Sequence, residues 1–195
     1  MKKILPLIIM LSAFRFAHAQ KIDSCYAGVY ITKEDFINHS VSYITNIGAK
    51  GNRLNFTFPA GNMVLKIVTH DNATLKYRPG EIYGYTECGY IFRYSKGGEL
   101  YAPEDYYRVE ESGELVIYSS RFKRGNEYFY SVSSTSTIHR LSMKNLTHDF
   151  GKYTAFMTDV NKLKNNSTEG LSKRDQAGLF LLNKIYIDTI KKSFK

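Results

Sequence analysis

Between Pro79 and Gly98 the chain reads Pro79-Gly80, Glu81-Ile82-Tyr83-Gly84-Tyr85-Thr86, Tyr90-Ile91-Phe92-Arg93-Tyr94 and Lys96-Gly97-Gly98, with Glu87-Cys88-Gly89 between the two apolar runs. Two runs rich in aromatic and β-branched residues stand between residues that fix turns, which is the pattern of two antiparallel strands. Strand alternation puts Tyr83 and Tyr85 on one face of the first strand. It puts Tyr90, Phe92 and Tyr94 on one face of the second, with Arg93 on the other.

The same rhythm continues in both directions. Further strands are expected over Ser42–Thr45, Leu54–Phe58, Met63–Thr69, Thr74–Tyr77, Tyr106–Val109, Leu115–Ser119, Glu127–Val132 and Thr137–Leu141. Turn residues such as Gly51-Asn52, Pro59-Ala60-Gly61, Asp71-Asn72, Ser112-Gly113 and Gly125-Asn126 separate them. Short strands at this spacing specify an antiparallel meander. The expected fold class is therefore α+β: an antiparallel β-barrel or bent β-sheet over residues 20–141, followed by C-terminal α-helices over 142–195 packed on the same domain.

Helical signals are fewer. Thr32-Lys33-Glu34-Asp35 offers a capped helical turn ending near Ile37. Ser142 caps a helix through Met143, Leu146 and Phe150, with Gly151 as its stop. Phe156, Val160 and Leu163 make one apolar helical face. Ser172, with Asp175 three residues on, is expected to start a last helix carrying Phe180, Leu182, Ile185, Tyr186 and Ile190 to Lys191-Lys192. The stretch Ile185-Tyr186-Ile187 leaves a strand there as the alternative.

Composition excludes several classes. The chain has 195 residues, 43% hydrophobic and 23% charged, which fits an ordinary globular domain and not a disordered, collagen-like or coiled-coil chain. Residues 1–19 read as a signal peptide: Lys2 and Lys3, an apolar run from Ile4 to Phe14, then Ala17-His18-Ala19 as the cleavage site. Cleavage would leave an exported, periplasmic or extracellular chain from Gln20, with no transmembrane span in the mature protein. Removing Lys2, Lys3 and Arg15 lowers the formal charge from +9 to +6. That balance permits attraction to acidic glycans or other anionic surfaces, while export argues against nucleic acid. Cys25 and Cys88 both survive cleavage. They are a possible disulfide, the alternative being two unpaired thiols.

Gly28-Val29-Tyr30, Asp35-Phe36, Ile82-Tyr83-Gly84-Tyr85, Tyr90-Ile91-Phe92-Arg93 and Leu141-Ser142-Met143-Lys144-Asn145-Leu146, with Phe156, follow one another in an order that resembles a loose family of uncharacterised exported bacterial proteins, β-rich with a helical C-terminal tail. The resemblance implies export and architecture. It implies no activity and no catalytic residue.

The sequence holds no GxSxG, HExxH, GxxxxGK[ST] or GxGxxG pattern, so it names no catalytic residue, and nothing in it implies a cofactor or metal. His39, His70, His139 and His148 are scattered beside expected turns. Glu104-Asp105 and Glu110-Glu111 are also assigned to turns. The unusual feature is tyrosine: of 16, eleven lie between Tyr77 and Tyr130. One reading is a ladder of rings that stiffens the sheet. The other is a binding platform, with Tyr83, Tyr85, Arg93 and Tyr94 as its sheet residues and Arg121, Lys123 and Arg124 at a neighbouring basic hairpin tip. The functional expectation is an exported, non-catalytic binding or interaction protein, its partner a glycan, an anionic surface or another protein. Alternatives are an extracytoplasmic hydrolase and a carrier of small apolar ligands inside a barrel.

Overall fold

The computed structural model describes residues 25–47, 53–57, 64–68, 73–97, 102–120, 127–165 and 169–194. Eleven strands are described: β1 (Cys25–Tyr30), β2 (Ser42–Ile47), β3 (Arg53–Thr57), β4 (Val64–Val68), β5 (Thr74–Tyr77), β6 (Gly84–Glu87), β7 (Tyr90–Ser95), β8 (Asp105–Ser112), β9 (Val116–Ser120), β10 (Tyr128–Ser131) and β11 (His139–Arg140). Eight form one antiparallel sheet in the order β11-β10-β9-β8-β7-β6-β1-β2, and β3-β4-β5 form a second. Four α-helices accompany them: α1 (Lys33–Ile37), α2 (Met143–Phe150), α3 (Thr154–Asn165) and α4 (Leu181–Thr189). The architecture is α+β, and the large sheet is open, running from β11 to β2, not closed into a barrel.

Its register follows from local chemistry. Between β6 and β7, Glu87 pairs with Tyr90 across a two-residue turn, and Cys88 and Gly89 hold φ of 51° and 82°. Positive φ at both central positions is the hairpin turn whose twist matches the flanking strands. Cys88 is bonded to Cys25 at the start of β1, with their Cα atoms 4.4 Å apart. The Cys88 N–H also donates to Tyr26 O at 2.9 Å. β1 is thereby fixed as an interior strand, between β2 and β6.

The two faces of the large sheet are covered differently. On one face Val29, Tyr85, Phe92 and Tyr106 pack against Leu65 and Ile67 of the small sheet. Further along, Leu115, Ile117 and Tyr130 pack against Leu146, Phe156, Val160 and Leu182 of the helices. The opposite face carries Tyr107, Val116, Tyr118 and Phe129, with Ala102 and Ile138 over them. Burying such aromatic side chains stabilises by roughly 1.5–3 kcal/mol each.

α1 has the expected cap, Thr32 and Asp35 each accepting from the other's backbone N–H. α2 runs from the Ser142 cap to Gly151, and the apolar face of α3 is buried at Phe156, Val160 and Leu163. The last helix corrects the sequence reading. Asp175 Oδ1 instead accepts from Ala177 N and Leu179 N, at 2.9 and 3.0 Å, and closes a turn. Arg174 bridges to Phe180, and the helix begins only at Leu181. Ile185-Tyr186-Ile187 is helical. Glu110 and Glu111 are not in a turn either, because β8 runs on to Ser112 with a register shift between Val109 and Glu111.

Candidate functional site

Gly84 starts the arrangement. A Cβ there would lie 2.3 Å from Phe92 O and 3.1 Å from the Phe36 ring, so only glycine lets α1 lay Phe36 against the sheet. Regular pairing begins at Gly84, and Tyr83 sits just outside it. Tyr83 therefore turns to the Phe36 side, its ring centroid 5.3 Å from that of Phe36. Tyr85 goes the other way. It is fully buried, stacked on Phe92 at 4.5 Å, and belongs to the core. The expectation that Tyr83 and Tyr85 share a face, and that Tyr85 belongs to a binding platform, is corrected by this bend.

Arg93 lies opposite Gly84 and Tyr107 in the ladders, on the side that carries Tyr118 and Phe129. Over it passes the segment Ser133–Thr137. Its serine and threonine side chains bond locally: Ser133 Oγ accepts from Thr135 N and Ser136 N at 3.3 and 3.1 Å, while Ser133 N donates to Ser136 Oγ at 3.0 Å. Folded back this way, the segment offers carbonyls downward. The Tyr83 hydroxyl donates to Ser134 O at 3.0 Å, and Arg93 Nη2 donates to Ser136 O.

Arg93 is only 5% exposed. Its Nη1 donates to the Tyr118 hydroxyl at 2.8 Å and to Ser131 Oγ at 3.3 Å. The Tyr83 and Tyr118 rings lie 5.3 and 5.9 Å from the guanidinium carbon, within cation–π range. Nε has no partner, and among the described residues no carboxylate pairs with this cation. Buried charges are ordinarily paired with an opposite charge. Here, among the described residues, neutral dipoles and ring faces offset a positive centre.

That centre lines an open cleft of about 360 Å³, walled by Tyr83, Tyr94, Thr135, Thr137 and Ile138, with exposed Lys96 at its edge. The Tyr94 hydroxyl donates to Glu104 at 2.7 Å. Burial, then the bond to Glu104, push that phenol well above its usual value, so it stays a donor. Burial also raises the Tyr83 phenol, against the opposing pull of Arg93. The cleft can therefore offer positive charge, hydroxyls and ring edges to a ligand.

Of the residues expected from the sequence, Tyr83, Arg93 and Tyr94 meet here. Arg121, Lys123 and Arg124 lie outside the described residues. The sequence pattern places Lys96 in a turn and Thr137 at a strand start, and marks neither of them nor Thr135 as a contact residue, since their approach depends on the meander. The chain matches no family model, no curated protein and no solved structure.

A second polar cluster joins β11 to α2. The Tyr130 hydroxyl donates to Asp149 Oδ2 at 2.6 Å, and His139 Nδ1 lies 2.8 Å from the same oxygen. His148 Nδ1 is 2.9 Å from Oδ1. The cluster borders a small cleft with Ser131 and Ser136. Both serine hydroxyls are engaged, each donating to Ser133 O, at 2.6 and 3.3 Å. Among the described residues no three His, Cys, Asp or Glu side chains are grouped to hold a metal, and no helix is long and apolar enough to cross a membrane.

Proposed function

We propose that this is an exported, non-catalytic binding protein whose ligand contact is the cleft formed by Tyr83, Arg93 and Tyr94. The observation that carries the reading is the buried guanidinium of Arg93, held among the described residues by neutral groups beside an open cleft. A cation costs several kcal/mol to bury, and a fold that needed only packing would be better served by an apolar side chain. Export is supported by the charge, apolar run and A-x-A pattern of residues 1–19 and by the Cys25–Cys88 bond.

A hydrolase is the second reading, favoured by the His139–Asp149 pair beside a cleft. A general base of that kind needs a nucleophile in reach, and the serine hydroxyls there are engaged in the turn. A carrier of apolar ligands is less well supported, because side chains fill both faces of an open sheet.

The test is a thermal-shift panel on Gln20–Lys195 with neutral glycans, peptidoglycan fragments, sulfated polyanions and fatty acids. A ligand at about 100 times its dissociation constant stabilises by roughly 2.7 kcal/mol, or on the order of 5–10 °C for a domain of this size. A shift confined to one class, and lost in Tyr94→Ala, is expected. A shift that Tyr94→Ala and Lys96→Ala leave unchanged would move the ligand away from this cleft.

A further inference from the structure

We infer that the ligand of this cleft carries a carboxylate on a small, hydroxyl-rich body, as a sugar acid does, and that the carboxylate completes the hydrogen bonding of Arg93. The inference rests on the cleft being the contact surface, as proposed above.

The donor account of Arg93 points to it. A guanidinium has five N–H donors. Nη1 uses both of its own on Tyr118 and Ser131, and Nη2 uses one on Ser136 O. Among the described residues, that leaves one donor on Nη2 and the partnerless Nε–H. Two remaining donors on one planar group match the two oxygens of a carboxylate, the pairing that arginine makes most strongly. A phosphate, with up to two charges and more oxygens, would call for further donors around it, and Lys96 is the other cation lining the cleft.

The walls suit the rest of such a ligand. Thr135, Thr137 and Tyr83 supply hydroxyls, and the Tyr83 ring supplies apolar surface for a sugar ring's C–H face. The volume of about 360 Å³ is at the small end of ligand sites, which favours a single residue over a long polymer. Nε lies below the cleft surface, so seating the ligand needs a side-chain shift of the kind that binding commonly brings.

The experiment compares head groups on one body. Isothermal titration of the mature chain with D-glucuronate, D-glucose, glucose 6-phosphate and acetate is paired with NMR of the tyrosine and threonine signals. Glucuronate is expected to bind roughly tenfold or more tighter than glucose or the phosphate, a difference of at least about 1.4 kcal/mol. It should move the Tyr94 and Thr137 signals, and lose affinity in Arg93→Lys and in the surface variants Lys96→Ala and Thr137→Val. If Arg93→Lys does not fold, the two surface variants decide. Equal binding of glucose and glucuronate at these signals overturns the carboxylate and leaves the cleft as binding site. Tighter binding of the phosphate overturns it in favour of a phosphate head group. If none of the four moves those signals, the inference falls, and the cleft reading then stands or falls with the neutral and polymeric ligands of the thermal panel.

Discussion

Asn183 shows how much one side chain can hold. Its Oδ1 accepts from Leu115 N at 2.7 Å, and its Nδ2 donates to Leu115 O at 3.0 Å and to Glu111. Leu115 is fully buried, so nothing else can serve its peptide groups. Asn183→Ala orphans one buried donor and one buried acceptor, both on Leu115, each costing about 1–3 kcal/mol. A loss of roughly 2–4 kcal/mol is expected in urea unfolding, with the slope unchanged. A loss under about 1 kcal/mol would mean that water replaces the amide. Tyr85 and Tyr94 give a sharper contrast. Tyr85→Ala empties a fully buried, stacked position and should cost about 3–5 kcal/mol. Tyr94→Ala, at the cleft edge, should cost well under half of that while altering ligand binding. Equal costs would make Tyr94 a core residue.

At the scale of elements, local signals were legible where one element contains its own reasons. The α1 cap, the Ser142 start of α2 and the buried face of α3 are all written within a few residues. The last helix departs from the sequence reading because its start is fixed from elsewhere. Ser172 and Asp175 have the spacing of a cap, yet the Phe180 N–H at the true start donates at 2.7 Å to Glu111, on β8. No window of sequence contains both partners. The bulge in β8 that brings Glu111 there was equally hidden, since alternation alone predicts no extra residue. The cleft divides the same way. Clustering picked out Tyr83, Arg93 and Tyr94, but the divergence of Tyr83 from Tyr85 needs Phe36, and Thr135 and Thr137 arrive by topology. Glu111→Gln keeps the acceptor but removes the charge beside Asn183 and the α4 start. It should cost about 1 kcal/mol, read as a lower urea midpoint, and Glu111→Ala distinctly more. If the two variants cost the same, the carboxylate is not capping this helix.

Over the whole molecule, tyrosine burial sets the response to alkali. Tyr106, Tyr107 and Tyr130 are each 1–2% exposed, and burial raises all three phenols above the usual 10. Below pH 10 both folded and unfolded chains keep these protons, and no stability is lost. Above it the unfolded chain releases them and the folded chain does not, so stability falls by about 1.4 kcal/mol per pH unit for each such group. The part of the tyrosinate absorbance that comes from these buried rings should therefore rise in one step coincident with loss of circular dichroism, above pH 10. Gradual titration of all tyrosines in a folded protein would contradict the burial. The Cys25–Cys88 bond acts at the same scale. It closes a separation of 63 residues, and its reduction is expected to lower stability by about 4 kcal/mol, on the chain-entropy account. Thermal unfolding with and without reductant measures it.

The place of β1 inside the sheet has a consequence in time. Ala27 pairs with Glu87, sixty positions further along, while β6 through β11 pair with their immediate successors. A chain threaded through a membrane from its N-terminus would deliver β1 early, with only β2 as a neighbour, and hold its other edge open until the β6–β7 hairpin follows. Pairings over such distances form slowly, because a long loop must close before any contact rewards it. The strand that joins β2 to the rest of the finished sheet is thus the one that waits longest for its second partner. An oxidant that joins Cys25 to Cys88 shortens that wait, making the pace of folding depend on where the chain finds itself.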